Sequence, residues 1–453
     1  MLIETERTAR QAVPDAFTHT GFEHTDGEPE RELHSLFHPE QLRGQFACRP
    51  VDPANSRAGY CALIETEADF RRLGPLWRAF EDAQPAASLF ASWSWVWNWW
   101  QDFGRHPHDG IGESHPFVLA VLSPAHELRG LLPFHVPARR VGGSGLRALR
   151  LFGCLGKHHE SLTEEPPLLL QAGQERQATE AALAVLLREQ TRRGWDLIEL
   201  WVGHSEAAPP AAPPIPGSPL GLGSMRRSLQ TRVEHRRVLP VLSLSLPPAW
   251  EPFHSGLSRL MRRNLRYYPR LLADQGHAWD ICLATDPLDV AREAEALVAL
   301  HRLRESCRRG APPGSHLPTG LHRRFLTHQL SAWAAQGRAS VAVLRINGHR
   351  AAAQALLTRG QAAMFYYSGF DPAWAAYSPL TLLHADVFAR LIAGGTRTVN
   401  LLAEAHPWKT RWGAQETAQV QQLSYVLPRP DAWLRVLLYA REARAARATQ
   451  EWP

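Results

Sequence analysis

Three short apolar segments joined by tight turns, followed by one helix and one strand, constrain the fold of this chain more than any other feature. The predicted strands are 339–346 (ASVAVLRI), 350–358 (RAAAQALLT) and 362–369 (AAMFYYSG). Asn347 and Gly348 favour a two-residue hairpin turn because both residues tolerate positive φ. A helix is predicted to begin at Ser378-Pro379, where serine suits the N-cap and proline the first turn, and to stop at Gly394-Gly395. This order predicts a mixed α/β (α+β) fold and argues against a doubly wound parallel sheet.

The first half of the chain repeats this order of elements without repeating its sequence. A chain of 453 residues is too long for one ordinary core, so we expect two mixed sheets, each flanked by helices, with a cleft between the halves. Proline, glycine, alanine and serine dominate residues 203–224, which cannot form a regular element. The predicted segments are a mobile polar arm (1–54), an N-terminal domain ending in this loop (55–224), a C-terminal domain (225–428) and an amphipathic helix with a tail (429–453).

A helix rich in tryptophan, SLFASWSWVWNWWQDFG, is predicted at 88–104. Trp93, Trp97 and Trp100 recur at helical spacing and share one face, which Trp95 and Trp99 widen. Aromatic stripes are usually buried, so we expect Trp93, Trp97 and Trp100 to pack in the core. A platform that stacks on a sugar is the alternative.

The composition excludes several classes of protein. No segment approaches the ~18 consecutive apolar residues of a membrane span, and the N-terminus lacks the apolar segment of a secretory signal, so a cytoplasmic location is expected. The five cysteines include no C-x-x-C pair, which favours neither disulfides nor zinc. His158, His159 and Glu160 lack a third ligand at a suitable spacing, so no metal is expected. A net charge of +6 with local arginine pairs suits an anionic small ligand but not a DNA-binding surface.

Four segments of the second half, taken together and in order, are typical of one family. They are MRRNLRYYPRLLADQG (261–276), LVALHRLRES (297–306), GFDPAWAAYSPLTLLHADVF (369–388) and NLLAEAHPWKTRWGA (400–414). With the tryptophan-rich helix and LRGLLPFHV of the first half, they resemble the GNAT-fold acyltransferases grouped with the cellulose-biosynthesis protein CelD, distant relatives of the FemAB aminoacyl transferases. The resemblance covers roughly 55–425 and implies a tandem of two GNAT-like halves with the chemistry in the second.

The resemblance implies transfer of an acetyl or longer acyl group from acyl-CoA, the co-substrate, to an amino or hydroxyl group. A sugar, a glycolipid or an exopolysaccharide precursor is the expected acceptor class. Two alternatives remain open. One is FemAB-like transfer from aminoacyl-tRNA, and the other is a catalytically degenerate domain that serves as a binding or scaffold subunit of an exopolysaccharide system.

The same resemblance assigns residues to the donor side and to the proton transfers. The donor's pyrophosphate is expected at the helix start that contains Tyr377, Ser378, Leu380 and Thr381, since N–H groups at a helix N-terminus bind anions. Pro379 has no N–H to offer, and a simple capped helix start is the alternative. Glu404 is the predicted base, with a solvated carboxylate as the alternative. Tyr367 and Tyr377 are the predicted acids for the leaving thiolate. For Tyr367, a sheet residue whose hydroxyl is bonded locally is the alternative.

Six residues are assigned to the acceptor side, namely Arg262, Asn264, Arg266, Asp371, Trp408 and Lys409. The alternatives are a solvated basic face for the arginines and an Asx turn for Asp371. Only Lys157 and Lys409 are lysines among the 50 basic residues. A site that needed only a surface cation would tolerate arginine, so Lys409 is predicted to point into the cleft and to bind an anionic substrate group or Glu404. Chance survival of a lysine on a solvated loop is the alternative.

Overall fold

The computed structural model describes Leu42 and residues 46–105, 114–137, 144–153, 162–205, 232–306 and 320–450. Most of the predicted arm, the Pro/Gly-rich loop beyond residue 205 and the His158-His159-Glu160 segment lie outside these ranges. The last part of the predicted arm is described, and there the expectation of mobile chain is wrong, because Ala47–Asp52 forms a strand paired with the next one.

Fourteen strands and eleven α-helices are described. The strands are β1 (Ala47–Asp52), β2 (Asn55–Ile64), β3 (Ser114–Leu122), β4 (Leu128–Pro137), β5 (Ala148–Leu151), β6 (Leu169–Leu170), β7 (Leu197–Ser205), β8 (Arg232–Ser245), β9 (Trp279–Ala284), β10 (Ala339–Ile346), β11 (His349–Arg359), β12 (Ala362–Phe370), β13 (Thr398–Ala403) and β14 (Gln415–Val426). The helices are α1 (Glu67–Arg72), α2 (Gly74–Asp82), α3 (Trp93–Trp99), α4 (Glu175–Arg193), α5 (Trp250–Gly256), α6 (Arg259–Asp274), α7 (Pro287–Ser306), α8 (Gly320–Ala334), α9 (Pro379–Ala393), α10 (Pro407–Arg411) and α11 (Pro430–Gln450).

The three-strand unit β10-β11-β12 forms as predicted. Asn347 and Gly348 both have positive φ, of 52° and 77°, and connect β10 to β11. These angles match a turn whose twist follows that of the flanking strands. Strand β13 then pairs with β12 in parallel after the intervening helix α9, which confirms the mixed α/β prediction.

All described strands belong to one continuous sheet, so the expectation of two separate sheets is wrong. The strand order is β1-β2-β3-β4-β5-β7-β14-β8-β13-β12-β11-β10-β9, with β6 paired to β4 beside that path. Each half contains one parallel pair, β5 with β7 and β12 with β13. The two parts join because β8, the strand that follows β7 in the chain, pairs with β13, while β14, the strand that follows β13, pairs with β7.

This exchange of strands closes the sheet at its centre. Strand β8 follows β7 in the chain but pairs with β13 of the second half. Strand β14 follows β13 in the chain but pairs with β7 of the first half, and β8 and β14 pair with each other. Two separate sheets would each expose an unpaired edge at this place, and the exchange gives those backbone groups partners.

The halves also share a hydrophobic core, where the sequence predicted a cleft between them. Trp95 on α3 is fully buried and stacks on Trp333 of α8 with ring centroids 5.3 Å apart. Asn98 on the same helix donates a hydrogen bond of 2.9 Å to Gln329. The buried carboxylate of Glu81 accepts from Arg338 of the second half at 2.8 Å. Helix α3 is therefore an internal element between the halves.

The tryptophans of α3 are largely buried, with one correction. Ser92 caps the helix by accepting from the N–H of Trp95, and the chain continues beyond Trp99 as a π-turn, Trp100–Gly104. Trp93 and Trp100 are buried as predicted. Trp97 is only half-buried and stacks on Trp93 at 5.4 Å. The helix face that carries Trp95 is the one that enters the shared core.

Candidate functional site

Strands β12 and β13 separate after three residue pairs, and this opening is the main feature of the second half. Their parallel pairing covers 362–364 and 398–400, with Met364 opposite Asn400 as the last pair. Both strands continue beyond that pair, β12 to Phe370 and β13 to Ala403. Main-chain groups that face the opening are therefore not used in hydrogen bonds between these two strands.

A bulge in β12 lies beside the opening. Gln354 of β11 pairs with Ser368, and Leu356 pairs with Phe365, so two residues of β12 face one residue of β11. The two residues are Tyr366 and Tyr367, which lie opposite Ala355. A bulge of this kind bends the strand and leaves one residue outside the regular ladder of hydrogen bonds.

Two buried polar side chains hold the bulge. Gln354 donates to the carbonyl of Tyr367 at 3.1 Å and to that of Ala355 at 2.8 Å, and its own oxygen lies 3.1 Å from Nε2 of His384 on α9. Burial lowers the pKa of His384 to about 3, so the ring is neutral near pH 7. A neutral ring whose Nε2 carries the proton can donate to Gln354. This chain links α9 to the bulge.

The end of β13 has a strained backbone. Leu402 and Glu404 have positive φ, of 68° and 72°, although neither is glycine. Asn400 accepts from the N–H of Leu402 at 2.7 Å, and the N–H of Glu404 donates to Pro240 at 2.9 Å. Non-glycine residues in this region cost of order 1–3 kcal/mol each and cluster at functional sites. The turn after β13 is therefore held by specific contacts.

Lys409 supplies the strongest of these contacts. Its ammonium donates to the carbonyls of Leu402, Ala403 and Glu404 at 3.0, 2.6 and 2.8 Å, and the residue is 4% exposed. An ammonium has three donors, and these carbonyls take all three. The geometry therefore favours a positioning role over the predicted contact with a substrate anion, and the contact to Glu404 is made with its main chain.

A loop of the first half reaches this end of the sheet. The buried hydroxyl of Tyr366 donates to the carbonyl of Leu162, and Asn400 donates from Nδ2 to Oε1 of Glu165 at 2.9 Å. Burial lowers the pKa of Lys409, and the nearby charge of Glu164 opposes part of that lowering. Sequence reasoning missed Glu164 and Glu165. The signal available was two adjacent carboxylates in front of two prolines in an apolar segment, and nothing in the sequence connects that segment with Asn400.

The start of α9 differs from the sequence expectation. Pro379 occupies the first turn as predicted, but Ser378 does not cap the helix with its side chain. Ser378 has a φ of 50°, and its hydroxyl lies 2.8 Å from the hydroxyl of Thr381. The N–H of Thr381 donates to the carbonyl of Ser378, so the N–H of Leu380 is the one best placed for an anion beyond the helix end.

Tyr377 and Asp371 have local structural contacts. The hydroxyl of Tyr377 donates to Gln275 and lies 3.0 Å from Nε2 of His277, which ties the turn before α9 to the chain that follows α6. Asp371 accepts from the N–H of Ala373 at 2.9 Å. That contact is the Asx turn named above as the alternative. The structure therefore gives the predicted acid Tyr377 a bonded hydroxyl in this turn.

Replacing Tyr377 with phenylalanine tests that assignment. We expect the free energy of unfolding to fall by about 0.5–1.5 kcal/mol, because the hydrogen bond from the Tyr377 hydroxyl to the exposed side chain of Gln275 is lost. Turnover of the folded variant should stay within a few-fold of the wild type. Urea denaturation and steady-state kinetics measure the two quantities. A hundredfold loss of turnover with unchanged stability would restore Tyr377 as the acid.

The remaining predicted residues fall into two groups. Tyr367 and Trp408 lie beside the opening, where Tyr367 is buried and packs edge-on against His301 at 5.6 Å, and Trp408 packs against His384 at 5.3 Å. The side chain of Glu404 lies there too, 51% exposed and 3.5 Å from His406. The other group lies on α6. Arg262 donates to the carbonyls of Ser255 and Leu257, Asn264 is half-buried and Arg266 is exposed.

The described residues contain neither a candidate membrane span nor a candidate metal centre. No helix among them is long and apolar enough to cross a bilayer. No three His, Cys, Asp or Glu side chains in the same ranges are grouped as metal ligands.

The fold and this opening define a GNAT acyltransferase-type domain in the second half of the chain. Residues 259–410 match the family model of the acetyltransferase (GNAT) domain. That segment includes the bulge in β12, the start of α9 and most of α10.

The solved structure of FemX supports the same fold over most of the chain, and two further solved structures are similar at lower TM-scores. FemX is 9% identical, with a TM-score of 0.51 over 81% of this chain and 98% of FemX. A tandem GNAT protein from the clavulanic acid biosynthesis pathway is 12% identical, with a TM-score of 0.44 over 82% of this chain and 99% of its own. A GCN5-related N-acetyltransferase from Sphaerobacter thermophilus is 12% identical, with a TM-score of 0.34 over 84% and 95%. No curated protein sequence matches the chain.

Proposed function

We propose that the protein is an acyltransferase that moves an acetyl or longer acyl group from acyl-CoA to an amino or hydroxyl group. The observation that carries this proposal is the separation of β12 from β13 beyond Asn400, next to the bulge at Tyr366 and Tyr367. A main-chain N–H released from the ladder at such a bulge can stabilise the oxygen of a thioester carbonyl as it becomes negative. A sugar or glycolipid precursor as acceptor, and a cytoplasmic location, belong to the proposal through the resemblance to CelD-type proteins.

The donor's pyrophosphate would be held at the start of α9. The N–H of Leu380 and the hydroxyls of Ser378 and Thr381 are the groups available there, while Pro379 has no N–H. These groups fit a phosphate, though with fewer main-chain donors than a glycine-rich loop would give. Tyr367 stays the proposed acid, and Glu404 is one of two candidate bases. Trp408 is proposed for an acceptor contact and Lys409 for positioning the turn.

Calorimetry with acetyl-CoA, longer acyl-CoAs and free CoA tests the proposal. We expect saturable binding of at least one acyl-CoA, and weaker binding after Thr381→Val, which removes a hydroxyl but keeps the size of the side chain. Thr191→Val is a matched control, because Thr191 is exposed on α4 of the first half and its hydroxyl donates only to the carbonyl of Leu187 in the same helix. No binding of any CoA species to the folded protein would reject the proposal.

An aminoacyl transfer from tRNA is the second candidate, and one observation favours it. Arg259, Arg263, Arg266 and Arg270 are all exposed on α6, and none forms an ion pair with an acidic side chain of the described ranges. Their spacing of four, three and four residues places them on one face over about 16 Å of helix. Such a ridge suits consecutive phosphates of a nucleic-acid strand.

Binding of bulk tRNA at two salt concentrations separates the two candidates. If tRNA is the donor, affinity should fall steeply with salt, and each removed phosphate contact should lower the slope of log K against log salt by about one. Arg263→Ala with Arg266→Ala is the informative double variant. If the protein binds neither tRNA nor acyl-CoA, the catalytically degenerate scaffold is favoured.

A further inference from the structure

Residues 162–168 belong to the first half of the chain but lie against the site of the second half. The hydroxyl of Tyr366, in the bulge, donates to the carbonyl of Leu162, which is fully buried. Burial raises the pKa of Tyr366 well above its usual value, so this hydroxyl keeps the proton that it donates. Leu169, on the other side of the loop, is also fully buried in β6. The loop is thus fixed at both ends.

Asn400 orients one carboxylate of this loop at the apex of the opening. Its residue pair with Met364 is the last one before the strands separate. Its Oδ1 accepts from the N–H of Leu402 at 2.7 Å, so the amide orientation is determined and Nδ2 must be the atom that faces Glu165. An aspartate at this position would place two carboxylates in contact. Asn400 and Glu165 therefore form a matched pair across the two halves.

The environment of Glu165 suits a proton acceptor. Burial raises the pKa of its carboxyl group, and hydrogen bonds from Ser88 and Asn400 lower it to a smaller extent. The titratable groups of the surrounding elements are Glu164 on the same loop, Tyr366 on β12 and Lys409 on α10. A carboxylate whose pKa is raised toward the working pH is a more effective base than an ordinary one. Glu404, by contrast, is 51% exposed at its side chain.

We infer that Glu165, supplied by the first half, is the general base of the acyl transfer; this inference rests on the proposed function. The acceptor nitrogen or oxygen forms a bond to the thioester carbonyl carbon while its proton moves to a carboxylate oxygen of Glu165. The C–S bond breaks, and its electron pair leaves with sulfur as the CoA thiolate, which takes a proton from Tyr367, the proposed acid; solvent then reprotonates the tyrosine. Glu165 later returns its proton to solvent. The first half thus takes part in the chemistry of the second.

The first test is Glu165→Gln, assayed by release of free CoA from acetyl-CoA with glucosamine or water as acceptor. We expect kcat to fall at least hundredfold, because general bases contribute about 10²–10⁴ in rate. The KM for acetyl-CoA and the melting temperature should stay close to those of the wild type. Glu127→Gln, an exposed carboxylate paired with Arg129 on the β3–β4 turn, is the matched control and should keep full activity.

The second test is Asn400→Asp, which gives a readout that a purely structural role would not produce. A second carboxylate within about 3 Å raises the pKa of the pair. The acidic limb of the kcat/KM profile should therefore move to higher pH by at least one unit. Adding Glu165→Gln to this variant removes the repulsion, so the double variant should regain stability without regaining turnover. Infrared titration of the carboxyl band follows the same pKa without turnover.

The possible outcomes distinguish failure of the proposed function from failure of Glu165 as the base. A wild-type protein that binds neither acetyl-CoA nor longer acyl-CoAs, and releases CoA from none of them, would reject the proposed function. A wild-type protein that is active, with Glu165→Gln retaining more than half of its kcat, would reject Glu165 as the base. Loss of the acidic limb in Glu404→Gln but not in Glu165→Gln would assign the base to Glu404 instead. If Asn400→Asp leaves the acidic limb of the kcat/KM profile at the same pH, the inference is also rejected.

Discussion

Trp95→Ala should lower the free energy of unfolding by about 3–5 kcal/mol, the range seen when large buried aromatics are truncated. Trp95 is 0% exposed and contacts aromatic rings from both halves. It stacks on Trp333 at 5.3 Å and meets Phe90 and Phe325 edge-on, each at 4.9 Å. We expect the space to stay largely empty when the indole is removed, because α3, α8 and the sheet are also held by other contacts.

The matched control for this prediction lies two residues along the same helix. Trp97 is half-buried and stacks on Trp93, so Trp97→Ala should cost clearly less, about 1–2 kcal/mol. Urea denaturation of both variants, followed by tryptophan fluorescence, measures the difference. Equal costs for the two variants would show that Trp95 does not join the halves. Loss of a ligand by Trp97→Ala at unchanged stability would instead support the sugar-stacking platform.

The local elements of the second half were predictable because their signals are local. A two-residue hairpin turn requires positive φ at two successive residues, which Asn347 and Gly348 tolerate. Pro379 has a φ suited to a helix start. The exchange of β8 and β14 was not predictable. Both strands alternate like ordinary half-buried strands, and a strand's periodicity carries no information about its partner. The single sheet in place of two follows from that exchange, so it was beyond the reach of the sequence.

The site was predictable only in part for a similar reason. The rarity of lysine singled out Lys409, and the structure places this residue at the turn after β13. Its contacts are main-chain carbonyls, which no composition argument can reveal. Glu165 and Asn400 are 235 residues apart, and each is unremarkable in its own segment. Their pairing depends on a loop of one half reaching the sheet of the other.

The buried ammonium of Lys409 also predicts a dependence of stability on pH. Burial lowers its pKa to about 8, against the raising effects of Glu164 and Glu404. An unfolded lysine titrates near 10.4, so the unfolded state binds more protons than the folded state between about pH 8 and pH 10.4. The free energy of unfolding contributed by this group therefore rises with pH across that window and is lost as pH falls through 8. Urea denaturation at pH 8 and pH 10 should show the rise in the wild type and not in Lys409→Met.

Lys409→Arg and Lys409→Ala should both lose at least hundredfold in turnover, and Lys409→Ala should lose about 3 kcal/mol of stability. Three carbonyls around the left-handed residues Leu402 and Glu404 share one ammonium. Removing it leaves buried acceptors without a donor, and the turn can then relax away from β12. Misplacing a reacting group by about 1 Å can cost 10²-fold in rate.

Arginine should fail to replace Lys409 for a geometric reason. A planar guanidinium directs its donors outward in one plane, whereas an ammonium directs three donors toward a ring of carbonyls. Adding Glu404→Gly to Lys409→Ala should restore part of the stability, because glycine adopts positive φ without strain, but it should not restore turnover. Thermal melts and steady-state kinetics on the three variants make the comparison. Full activity of Lys409→Arg would mean that the site needs only a positive charge at this position, and the positioning role of the ammonium would then have to be abandoned.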